Sequence, residues 1–109
     1  MRIWDIHPKK LCRNHLLGEH RELHGIWAIL TKHKKGYAHH PETKRWRGKL
    51  KALYLRHQAL AVEMNKRRYE HNSPLDKKMA KGASAQNIYL HTPNKQVKIL
   101  RNKKCNCKI

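Results

Sequence analysis

The sequence predicts an all-α fold: a single compact domain of two long and two or more short helices. Apolar residues recur at helical spacing over two extended stretches. No stretch alternates apolar and polar residues as a half-buried strand does, Phe is absent and β-branched residues are few. A chain of 109 residues suits one domain with one modest core. The expected division is a helical domain over residues 1–102 and a basic tail over 103–109.

All four prolines follow a residue able to cap or enter a helix, at His7-Pro8, His40-Pro41, Ser73-Pro74 and Thr92-Pro93. Proline is favoured at the first helical position, where its missing N–H would have had no intrahelical partner. Four helix starts are therefore predicted. The first helix runs over 8–32, with Cys12, Leu16, Leu23, Trp27 and Leu30 within one narrow arc and Gly36 as its stop. The second runs over 41–69, where Trp46, Leu50, Leu53, His57, Leu60 and Met64 alternate spacings of four and three, the clearest core stripe of the chain. A short third helix spans 74–81 and ends at Gly82, and a fourth over 93–102 presents Val97 and Leu100 to the core. Between residues 83 and 91 the pattern does not distinguish helix from loop.

With 26 Lys and Arg against 7 Asp and Glu, the formal net charge is +19. Cations recur from Lys9 to Lys108 rather than in one arm, which suits a folded domain with a positive face and a nucleic-acid partner. A membrane surface fits less well, because both long helical stretches carry cations on several sides. No stretch approaches the roughly 18 apolar residues of a membrane span. The start, Met1-Arg2-Ile3-Trp4-Asp5, lacks a signal-peptide core, so an intracellular, DNA-associated protein is expected.

Three cysteines, an odd number, are expected to be reduced thiols. The pair Cys105-Asn106-Cys107 lacks both the usual spacing and the four ligands of a zinc site, and no metal or cofactor is predicted. His20 and His24 stand one helical turn apart, but Glu22 projects about 160° from His20 on a helical wheel and cannot serve an ion held by the two histidines.

In so basic a chain the acids are the informative residues. His15, Glu19 and Glu22 are spaced i, i+4, i+7 and share one helix side. Glu19 lies inside the apolar arc and is expected to pair internally with a buried arginine or histidine. Glu22 sits at the edge of that arc, where it can face a ligand. The α-amine is a further chemical group: its reference pKa of about 7.7–8.0, lowered by neighbouring cations, leaves it able to form a Schiff base near neutrality.

Met1-Arg2-Ile3 and the block Asn14-His15-Leu16-Leu17-Gly18-Glu19-His20-Arg21-Glu22-Leu23, joined by Lys49-Leu50, Arg56, Leu60, Glu63, Arg67 and Tyr69, resemble the pyrimidine-dimer DNA glycosylases of the phage endonuclease V type over about the first seventy-five residues. The resemblance implies a compact helical repair enzyme, without metal, that excises pyrimidine dimers and cuts the strand at the abasic site. It implies that the N-terminal α-amine attacks the sugar C1′ and that Glu22 assists proton movement and stabilises the cationic sugar. It also implies that Arg2 and Arg21 hold phosphates, that Asn14 lies near the bases and that His15 positions the site.

A gapless alignment puts Met1 itself at the nucleophile, and Arg2 is too large a second residue for methionine removal. The chain lacks the aromatic-rich end of the phage member, so a related lesion or abasic sites alone are open as substrates. The expected partner is double-stranded DNA with damaged pyrimidines or abasic sites, bound by a monomer. The rival reading is a non-catalytic, basic architectural DNA-binding protein, for which charge alone suffices.

Overall fold

A computed structural model describes residues 2–69, 74–103 and 105–108. Among them the chain forms α1 (Arg13–Lys32), α2 (Pro41–Arg45), α3 (Leu50–Lys66) and α4 (Pro93–Arg101), with short 3-10 turns at Pro8–Lys10 and Lys77–Met79. The fold is all-α, as predicted. The described residues contain no strand, only an isolated antiparallel bridge between Lys49 and Gly82. None of their helices is long and apolar enough to cross a membrane.

The core forms where α1 lies against α3. Leu16, Leu23 and Ile26 of α1 and Leu53, Leu60 and the His57 ring of α3 are sealed from solvent, with Trp27, Trp46 and Met64 nearly so. Both predicted stripes are therefore the packing faces. The N-terminal segment joins them through Ile3, Trp4, Ile6 and Leu11, and α4 adds Leu100.

The helices are shorter than the periodicity suggests. His7 Nδ1 accepts from the Lys9 N–H and starts a turn at Pro8, as the proline rule expects. The chain then leaves the helix, with Leu11 and Cys12 extended, which turns Leu11 into the core before α1 begins at Arg13. At the other end of α1 the left-handed residue is His33, at φ 52°, and not Gly36.

The second predicted helix is two. His40 Nδ1 caps α2 at Glu42, but residues 46–48 form a turn in which Gly48 takes φ 73°. A helix starting at Leu50 leaves its first N–H groups without intrahelical partners. Lys51 N donates to Lys81 O at 2.9 Å and Ala52 N to Ala83 O at 3.1 Å, so a distant segment caps α3. That duty explains why residues 74–81 do not form the predicted helix and keep only the turn capped by Asp76. Gly82 is required there, because a Cβ would stand 2.2 Å from the Gly48 carbonyl oxygen. Residues 83–91 contain no helix. Thr92 caps α4 through Lys95 N, and the helix buries Leu100 and half-buries Val97.

Candidate active site and nucleic-acid interface

The N-terminal segment crosses the helices as a strap held by three arginines. Arg45 donates through Nη2 to the Ile3 carbonyl at 2.9 Å, Arg56 through Nη1 to the Ile6 carbonyl at 2.8 Å, and Arg67 through Nη2 to the Leu11 carbonyl at 2.6 Å. Each is paired with acid. Arg45 meets Glu42 at 2.6 Å and Asp5 at 3.0 Å, Arg56 meets Glu19 at 2.6 Å, and Arg67 meets Glu63 at 3.0 Å. Carrying a cation inside a protein requires a counter-charge and filled hydrogen bonds, and these pairs supply both.

Glu19 is buried in the apolar arc, and of the two partners the sequence allowed, arginine or histidine, it takes Arg56. Burial raises its carboxyl above the ordinary glutamate value, while Arg56 and the Trp4 N–H pull the other way by holding the charge. The Trp4 N–H donates to Glu19 Oε1 at 2.9 Å. The strap is thus anchored to α1 one helical turn from Glu22.

Of the acids among the described residues, Asp5, Glu19, Glu42 and Glu63 are committed to arginines and Asp76 to a turn. Glu22 is partly exposed and enters none of the ion pairs or side-chain hydrogen bonds found between described residues. The other proposed catalytic group, the Met1 amine, lies outside the described residues.

The predicted DNA-binding residues stand in different surroundings. The Arg2 guanidinium stacks 4.5 Å from the centre of the Trp4 ring and bonds His91 Nδ1. Asn14 and Arg21 are exposed, and their i, i+7 spacing puts them on one face of α1. Asn14 also borders a groove of about 1100 Å³ whose rim carries Lys9, Lys10, Arg13, Lys66 and Lys108. His15 is partly buried, its ring edge-on to Trp4 at 5.7 Å, and it turns to sulfur. Its Nδ1 lies 3.1 Å from Cys12 Sγ and 3.2 Å from Cys107 Sγ.

Two clusters were not legible as such in the sequence. Cys12, His15, Cys105 and Cys107 offer ligand atoms all within 4.8 Å of one another. Burial pushes the Cys12 thiol up, but backbone N–H groups of His15, Asn106 and Asn14 and a hydrogen bond from Cys107 outweigh it and leave the thiol below its ordinary value. Burial pushes Cys107 up to about 12. Burial, helped by the charge of Lys103, holds His15 below the usual histidine value. In the second cluster His20 and His24 of α1 meet the buried His57 of α3, with His24 Nε2 3.2 Å from Nε2 of each. The spacings Cys12-x-x-His15 and Cys105-x-Cys107 were the available signal for the first cluster, each half too small alone.

The architecture is all-α and, among the described residues, leaves one acid, Glu22, outside the ion pairs and the turn cap that engage the other acids of a strongly basic chain. The model of the pyrimidine dimer DNA glycosylase family matches residues 1–77, and the chain belongs to that family. It is therefore a DNA glycosylase in class, with damaged DNA as its partner. The match spans the strap, α1, α2 and α3, and ends before α4 and the tail. No curated protein matches the chain, and no solved structure does.

Proposed function

We propose that the protein excises pyrimidine dimers, or a related base lesion, and cuts the resulting abasic strand through an imine on its N-terminal α-amine. The Met1 nitrogen attacks C1′, the glycosidic bond breaks with its electron pair leaving on the base, and loss of a proton from nitrogen with ring opening gives the imine. Removal of a C2′ proton then expels the 3′ phosphate, and water releases the amine. Glu22 moves the protons and balances the cationic sugar. Arg2 and Arg21 hold phosphates, Asn14 lies near the bases, and His15 supports the strap through Trp4. The enzyme acts as a monomer and also accepts abasic sites.

The observation that carries this reading is the commitment of the acids. A bare carboxylate on a +19 surface weakens phosphate binding, so Glu22 is an acid whose place structural pairing does not explain. It stands one turn from the point where Glu19 fixes the strap, and the strap leads to the N-terminus. The positive field also favours the neutral, nucleophilic amine.

The test is borohydride reduction of the untagged protein with dimer-containing or abasic duplex DNA. A covalent adduct through residue 1 is expected, and none should form once the N-terminus is acetylated. Glu22→Gln should keep DNA affinity and lose excision by about 10²–10⁴-fold, the range of general acid–base catalysis. DNA binding with neither adduct nor excision would establish the architectural reading.

A further inference from the structure

Half of the sulfur cluster, Cys105 and Cys107, lies beyond the family match. Cys12 is the N-cap residue of α1 and His15 stands one turn along it. Cys105 and Cys107 come from the opposite end of the chain. The Cys12 N–H donates to Cys107 Sγ at 3.1 Å, and Lys108 N donates to Lys10 O at 2.7 Å, so the tail is folded back on the beginning of α1. All four ligand residues are partly buried.

We propose that Cys12, His15, Cys105 and Cys107 bind one zinc ion in a closed, structural site. Zinc accepts this Cys3His donor set in tetrahedral geometry, with Zn–S near 2.3 Å and Zn–N near 2.0–2.1 Å, which sets ligand atoms roughly 3.5–3.8 Å apart. His15 Nδ1 already lies 3.1 and 3.2 Å from two of the sulfurs, and no pair of the four atoms exceeds 4.8 Å. Drawing atoms now at most 4.8 Å apart to the zinc-bound separations would close the tetrahedron. Soft thiolates with one imidazole select zinc over magnesium or calcium, which take oxygen.

The charge also balances. Three thiolates around a dication carry a net negative charge, which suits a neighbourhood of Lys9, Lys10, Arg13 and Lys103 where another cation alone would be repelled. Four protein ligands leave no position for substrate, so the ion holds structure. It staples the tail to the start of α1 and fixes Asn106 and Lys108 on the groove that Asn14 and the lysines border.

Metal content of the full, untagged chain purified with reduced thiols and without chelator tests this. About one zinc per chain is expected. Replacement by cobalt should give the intense visible bands of a tetrahedral ion and a thiolate-to-metal charge-transfer band with the intensity of three sulfurs. Cys107→Ser should lose the bound ion, and His24→Ala, which removes a member of the histidine cluster, should keep it. The cobalt spectrum of the unsubstituted chain decides the matter even if Cys107→Ser fails to fold. Reduced protein without bound metal, a Cys12–Cys107 disulfide in its place, cobalt bound without thiolate charge transfer, or an ion lost with His24 and kept with Cys107→Ser would each overturn the proposal. Metal content and the cobalt spectrum read the cluster while borohydride trapping reads the α-amine, so failure of one reading is distinguishable from failure of the other.

Discussion

The two ends of the chain are fastened to the helical body by different chemistry. The N-terminal strap is held by arginines that each bring a carboxylate, so its buried charges are cancelled by the protein itself. At the C-terminal tail, thiols and one imidazole gather where ion pairs stand elsewhere, together with a backbone bond from Lys108 to Lys10. The contrast teaches that the strap is complete as folded, whereas the donors at the tail are of the type that a soft cation completes. The strap lies inside the family match and the tail outside it, so the shared part of the chain carries its own counter-charges.

Breaking the strap has the largest effect. Arg45 is nearly inaccessible and serves Glu42, Asp5, the Ile3 carbonyl and the Ile88 carbonyl at once. Arg45→Met leaves both carboxylates without their cation and should cost about 3–5 kcal/mol in denaturant unfolding. A loss below about 1 kcal/mol would show that the strap is not held by its charges. At the tail, removal of zinc with a strong chelator should lower Tm, by the equivalent of about 2.7 kcal/mol where free zinc had stood a hundredfold above Kd. The same treatment should leave Tm of Cys107→Ser unchanged. Arg67→Ala comes next, at about 1–2 kcal/mol, because its side chain remains 22% exposed and water replaces part of what is lost.

Much of this was readable from the residues. The apolar stripes of α1 and α3, the proline starts at Pro41 and Pro93, and an arginine or histidine partner for Glu19, which proves to be Arg56, follow from periodicity, capping and the cost of a buried charge. Arg56, Glu63 and Arg67 of α3 and its C-terminal cap are among the positions that carry the family resemblance, and the structure shows the two arginines fastening the strap and Glu63 pairing with Arg67. The break at Gly48 was not readable, because the N–H groups it exposes are satisfied by carbonyls of Lys81 and Ala83, which no local pattern announces. The sulfur cluster was hidden for a similar reason. Cys12 reads as one more apolar residue in the arc of α1, and its partner Cys107 is 95 residues away.

The smallest change in stability should accompany the largest loss of chemistry, and the two glutamates of α1 make that comparison within a single turn. Glu19 accepts two bonds from Arg56 and one from Trp4 inside the core. Glu19→Gln keeps the shape but removes the counter-charge of a half-sealed guanidinium, and should cost about 2–3 kcal/mol. Glu22→Gln changes a partly exposed group outside the described ion pairs and should shift unfolding by less than about 0.5 kcal/mol. Excision measured beside unfolding then separates the two kinds of acid. If Glu19→Gln keeps excision whenever it is folded while Glu22→Gln loses it at full stability, position 22 acts in chemistry and position 19 in anchorage. Excision retained in Glu22→Gln would remove the acid from the reaction and leave its presence on a cationic surface without an explanation.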